Sequence, residues 1–96
     1  MASRITLYGR PNHPDIKRLQ REMNVMYVDY DLRDPAKDVR ARQRLAEWNG
    51  EVPTVPIVEV LRGEGDGSVF LVNPDEPTLR QTLYSENILS ITAYWV

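Results

Sequence analysis

The residues best placed for chemistry lie in one stretch, Tyr8-Gly9-Arg10-Pro11-Asn12-His13-Pro14-Asp15-Ile16-Lys17-Arg18, which holds the chain's single histidine and a guanidinium three residues before it. A strand-like run, Ile5-Thr6-Leu7-Tyr8, precedes it, and a helix-like run carrying Ile16, Leu19 and Met23 follows. A loop that ends a strand and opens a helix presents unpaired N–H groups and the positive end of the helix dipole, a setting that favours anions. Pro14 suits the first helical position, where its missing N–H costs nothing, and Asn12 or His13 is the expected cap. The His13 ring can donate or accept, so it is a candidate ligand contact as well as a cap. No serine, threonine or carboxylate stands at a triad spacing from it, and Thr54 alone is a poor nucleophile.

The stretch is equally defined by what it lacks. It has no thiol, no second acid and no glycine run, and the whole chain contains no cysteine. Disulfides, thiol catalysis, iron–sulfur clusters and cysteine-bound zinc are excluded, and one histidine cannot build a metal site alone. The expected chemistry is therefore binding, without a metal.

The elements that must position this loop follow from pattern. Arg4 to Tyr8 reads as a strand, and Pro14 to about Asn24 as a helix with Ile16, Leu19 and Met23 inward and Lys17, Arg18 and Arg21 on the other face. Val25 to Leu32 alternates, Met26, Val28, Tyr30 and Leu32 opposing Tyr27, Asp29 and Asp31, which predicts a second strand. Asp34-Pro35 predicts a helix entry, with Gly50 as its stop and Trp48 as a core residue near its end. Ile57 to Leu61 and Ser68 to Val72 read as a hairpin around the glycine-rich 62–67 turn. Asn73 with Glu76 three later matches a capping box, with Pro77 able to push the helix start onward, and that helix should end near Tyr84. The apolar end, Ile88 to Val96, reads as a last strand or as an arm packing on the domain or on a second copy. The order β-α-β-α-β-β-α implies a mixed sheet with helices on both faces.

The totals suit one small soluble domain: 96 residues, 42% hydrophobic, 27% charged, net charge −2. Charge is uneven. Arg10 to Arg44 holds nine basic and six acidic residues, whereas Leu45 to Val96 holds two basic and eight acidic. Neither nucleic-acid nor membrane binding is expected from that balance, no run is long and apolar enough to span a bilayer, and the expected location is cytoplasmic.

Three segments together resemble the thioredoxin fold, and within it the glutaredoxins, most closely the short bacterial mycoredoxin-like group. The Ile5 to Arg18 stretch is similar to the family's strand, Cys-Pro-X-Cys loop and first helix. Asn49-Gly50 followed by Thr54-Val55-Pro56 is similar to its helix end and cis-proline loop, and Gly67-Ser68 through Val72-Asn73-Pro74 to its last hairpin strand and third helix start. The resemblance implies an α/β thioredoxin-like (glutaredoxin-type) three-layer sandwich with a mixed four-stranded sheet over residues 1–84, followed by a C-terminal arm, 85–96.

The same resemblance places His13 where the family has its nucleophilic cysteine and Ile16 where it has the resolving one. Only a thiolate attacks a disulfide, so the family's oxidoreduction is closed to this chain. What the resemblance leaves is a ligand site. Arg10 stands where the family meets a glutathione carboxylate, Val55-Pro56 is expected as a cis bond whose backbone pairs with an extended peptide or glutathione, and Asn73 and Asp75 face the ligand's other end. The resulting expectation is a redox-inactive binding or interaction module, with glutathione or an extended peptide as ligand. A homodimer or a protein partner using the 85–96 arm is the alternative.

Overall fold

The computed structural model describes residues 3–63 and 67–89. The elements run β1 (Ile5–Tyr8), α1 (Pro14–Val25), β2 (Asp31–Arg33), α2 (Val39–Asn49), β3 (Ile57–Leu61), β4 (Ser68–Val72) and α3 (Glu76–Ser85). One sheet forms in the order β2-β1-β3-β4. β1 and β2 are parallel, and the other two pairings are antiparallel.

Strand alternation splits the core into two layers. Ile5 and Leu7 on β1 and Val58 and Val60 on β3 face Ile16, Leu19 and Met23 of α1 and Leu79 and Leu83 of α3. Tyr8 and Ile57 face Ala41 and Leu45 of α2 on the opposite side. Each fully buried leucine or isoleucine contributes roughly 1.5–3 kcal/mol, so the three residues on α1 alone fix its face against the sheet. Ile88 and Leu89, just past α3, pack against the larger layer. The remainder of the arm, residues 90–96, lies outside the described residues.

Helix ends show where local chemistry decides and where it competes. α1 starts at Pro14 with His13 as its cap, as the proline required. α2 stops at Gly50, whose φ of 83° is left-handed and natural for glycine. Asp34-Pro35, however, does not open α2. The Asp34 carboxylate accepts from Ala36 N–H, closing a turn, and Asp38 caps the helix by accepting from Ala41 N–H at 3.1 Å. Likewise Asn73 does not cap α3; Asp75 does, with Pro77 in the first turn.

The second strand is shorter than its alternation suggests. Met26 is buried in the larger core layer and Val28, Tyr30 and Leu32 pack against it, so the period-two face is correct. Tyr27, with a positive φ of 57° and 95% exposed, belongs to the turn that ends α1, and ladder pairing begins only at Asp31. Trp48 is not a core residue. It lies on the surface, stacked on Phe70 with ring centroids 4.5 Å apart. No helix among the described residues is long and apolar enough to cross a membrane.

Candidate functional site

The loop after β1 is held from both sides. Gly9 N–H donates to the Arg33 carbonyl at 3.0 Å, and His13 N–H donates to the Arg10 carbonyl at 3.0 Å. The His13 Nδ1 accepts from Asp15 N–H at 3.1 Å, so in this capping arrangement the ring hydrogen sits on Nε2. Ile16, one turn on, is fully buried. A Cβ at Gly9 would lie 2.3 Å from Ile16 Cδ1, so any larger residue there would displace the Ile16 side chain.

In front of α1 lies a groove of about 470 Å³. Its walls are Gly9-Arg10 with His13, the Asp34–Ala36 turn, and the Val52–Pro56 loop, with Arg42 reaching in from α2. Arg10 forms no ion pair among the described residues, and Arg42 donates only to the Pro35 and Ala36 carbonyls. Two guanidinium groups thus line the groove without an ion pair among the described residues, although the Asp34 carboxylate lines it too. In the Val52–Pro56 wall, the Val52, Thr54 and Val55 backbone groups make no hydrogen bond among the described residues, whereas the Pro56 carbonyl accepts from Asn73 N–H at 2.8 Å.

The structure therefore gathers Arg10, His13, Val55 and Pro56 on one groove and sets Asn73 and Asp75 apart from it. Asn73 is tied to the flank of α1, its Oδ1 accepting from Arg18 at 3.0 Å and its Nδ2 donating to Asp15 at 3.4 Å. Asp75 is committed to capping α3 through Thr78 N–H at 2.9 Å. Hydrogen bonds from Thr78, with the Arg18 guanidinium nearby, hold its carboxyl below the usual carboxylate range.

One expectation is corrected. The described residues contain no cis peptide bond, so Val55–Pro56 is trans. Trans is the preferred isomer even before proline, by about 0.5–1 kcal/mol, and the loop enters β3 without needing the other. The wall still faces His13 and Ile16 across the groove.

Two features escaped the sequence reading. One is Arg42, whose place in the groove depends on the α2 start at Val39. The other is a buried carboxylate, Glu59, only 5% exposed. It accepts from Tyr8 Oη at 2.6 Å, Ser68 Oγ at 2.6 Å and Arg44 Nη2 at 2.7 Å. Burial alone would raise its pKa; the three donors outweigh that and leave it lowered. A lone glutamate inside Ile57-Val-Glu-Val-Leu61 was the available signal. This cluster satisfies all its members, and no buried side-chain nitrogen or oxygen among the described residues lacks a partner. It holds α2 to the sheet rather than offering a reactive group. No cluster of histidine, aspartate or glutamate suited to a metal occurs among the described residues.

No protein-family profile matches the chain. No curated protein sequence matches it either. Among solved structures the fold is similar to the crystal structure of a glutaredoxin from Archaeoglobus fulgidus, with a TM-score of 0.61 and 18% identity, over 82% of this chain and 84% of that one. The fold is thus the glutaredoxin-type form of the thioredoxin-like α/β architecture, carried by a chain with no cysteine.

Proposed function

We propose that this chain is a binding module built on a glutaredoxin-type scaffold of the short, mycoredoxin-like kind, holding an extended peptide that bears a carboxylate. The supporting observation is the groove before α1. Arg10 and Arg42 line it and form no ion pair among the described residues, with Asp34 on the same wall as Pro35, and the backbone of Thr54 and Val55, without a hydrogen bond among the described residues, forms another wall. An extended peptide would lay its backbone along Val55, as an added strand does, and place its carboxylate toward the two guanidinium groups. Oxidoreduction has no part in this, because His13 and Ile16 occupy the thiol positions and an imidazole at a helix cap cannot exchange disulfides.

Glutathione is a second ligand of the same chemistry, since it is an extended peptide with two carboxylates. Its far end would need Asn73 or Asp75, and both are engaged in the hydrogen bonds described above. The unmodified chain answers both questions in one chemical-shift titration, first with a cysteine-free acidic heptapeptide and then with reduced glutathione. Peptide-induced shifts confined to Arg10, His13, Thr54, Val55 and Arg42 are the expected result. Silence from both ligands at millimolar concentration would remove the reading.

A further inference from the structure

The groove in front of α1 has a charged side and an apolar side, and the sheet order separates them. β1 lies between β2 and β3, so the turn that leaves β2 and the loop that enters β3 stand on opposite sides of the β1 end. On the β2 side, Gly9 N–H donates to the Arg33 carbonyl, which sets the Arg10 backbone near that of Asp34. Arg42 joins them by donating to the Pro35 and Ala36 carbonyls. On the β3 side, Val52 is 38% exposed and Val55 41%, and both line the groove. Behind them Ile16, Leu45 and Pro56 close the floor and are already buried.

A single exposed valine on a surface is ordinary. Two on one short loop, lining one concavity of about 470 Å³ that also holds two guanidinium groups, make a site with two kinds of recognition. Resting on the peptide-binding reading above, we propose that the groove selects its peptide by a bulky apolar side chain as well as by one carboxylate, the two standing two residues apart. In an extended chain, residues i and i+2 point to the same side, about 6–7 Å apart. A carboxylate can then meet Arg10 and Arg42 while a leucine-sized side chain covers Val52 and Val55. Residues next to each other in sequence would point to opposite faces, and only one of the two could enter the groove.

The same walls discriminate against glutathione. It ends in glycine and carries only a cysteine side chain between its two carboxylates, so it offers no bulky apolar group to cover the valines. Charge points the same way. Asp34 lines the groove with Arg10 and Arg42, so two guanidinium groups face one resident carboxylate and the balance suits one ligand carboxylate. A second acid on the ligand would be brought toward Asp34 and repelled. The partner is thus an extended peptide that is apolar with one acid, in place of a polyacidic one.

The test is calorimetric titration of the full chain with capped heptapeptides that carry a central glutamate. One has leucine two residues away on both sides, the second has alanine there, and the third has the leucines directly beside the glutamate. The first should bind tightest, and each of the other two should bind about tenfold more weakly or worse, as should reduced glutathione. Its advantage should persist at about 0.5 M salt, where the guanidinium contribution fades, and should come with a more negative heat-capacity change. Val52→Ser and Val55→Ser alter exposed side chains, and each should shrink the leucine-over-alanine preference while leaving the alanine peptide's affinity near its wild-type value. Equal binding of the leucine and alanine peptides overturns this inference and leaves the peptide-binding reading standing. A leucine preference that both valine variants leave intact, or tighter binding of glutathione than of the leucine peptide, overturns it as well. Silence from every peptide at millimolar concentration removes the reading and the inference together.

Discussion

Tyr8 Oη donates to Glu59 Oε1 at 2.6 Å, joining the last residue of β1 to the middle of β3 on the face that α2 covers. Arg44 reaches the other carboxylate oxygen from α2, and its guanidinium also lies 5.4 Å from the Phe70 ring centroid. The pair makes a strong prediction about stability. Tyr8→Phe removes one donor and leaves Glu59 with two, so it should cost about 1 kcal/mol. Glu59→Leu strands the Tyr8 hydroxyl and the Arg44 guanidinium. Because that guanidinium side chain is 43% exposed and can turn to water, the cost should be about 2–3 kcal/mol, below the range for a fully buried pair. Urea unfolding of the two variants, with unchanged m-values, measures both.

The same cluster sets the pH range of stability. Glu59 titrates below its ordinary value in the folded chain, so its contribution is complete above the unfolded carboxylate range and is lost as pH falls through the lowered folded value. Asp38 and Asp75 move in the same direction, each held down by hydrogen bonds at the helix start it caps. Tyr8 is raised by burial and by Glu59, so its contribution is complete below the ordinary tyrosine value, near pH 10, and is lost as pH rises beyond it. Thermal unfolding across pH should show a plateau bounded on the acid side by carboxylates and on the alkaline side by Tyr8. Tyr8→Phe should flatten the alkaline limb and leave the acid limb in place.

The parts of this fold that read directly from sequence are those a single residue decides. Pro14 can only begin a helix and Gly50 readily takes a left-handed stop, so both boundaries were visible. Where two residues compete for one role, local pattern fails. Asp34 and Asp38 can each cap; Asp38 does, through Ala41 N–H, while its other carboxylate oxygen pairs with the Arg33 guanidinium at 3.0 Å. The front of α1 was legible because its spacing is local, whereas Arg42 and the Arg44–Glu59 contact join residues from separate elements. The inward face of the 26–32 segment was legible as well. Its hydrogen bonding was not, because alternation records burial rather than ladder pairing.

Gly9 and Ile16 should be energetically coupled. A Gly9→Ala methyl falls 2.3 Å from Ile16 Cδ1 and 2.7 Å from its Cγ1, so the buried isoleucine must shift to admit it. Overpacking of this kind costs about 1–3 kcal/mol, and Ile16→Ala alone should cost about 2–5. In the double variant the methyl occupies space that Ile16 vacated, so the combined loss should be smaller than the sum by about 1 kcal/mol or more. Additive values from a double-mutant cycle would show that the loop relaxes away from the helix instead.

Binding in the groove should depend on salt through Arg10 and Arg42. Both are exposed and form no ion pair among the described residues, so each replacement by alanine should weaken an acidic peptide roughly tenfold at low ionic strength. The effect should shrink as salt approaches about 0.5 M, where the screening length falls to a few ångströms. A salt-independent loss would assign the two residues a packing role. Calorimetric titration at two ionic strengths separates these outcomes.

The geometry at the front of α1 also predicts what restoring sulfur would do. A cysteine at position 13 would stand at the helix cap, where His13 Nδ1 now accepts from Asp15 N–H, and its thiolate would take up that hydrogen bond at the positive end of the dipole. A cysteine at position 16 would lie one turn on, beneath Gly9, in a site now filled by a larger side chain. The His13→Cys/Ile16→Cys double variant should therefore contain one thiol of lowered pKa and show disulfide reductase activity above that of the parent chain. The Ile16→Cys single variant should show neither, because its thiol would sit in a fully buried site. Thiolate absorbance against pH, read alongside reductase turnover, tests both parts. A folded double variant with an ordinary thiol pKa would mean that the amides opening α1 do not converge on the position 13 side chain.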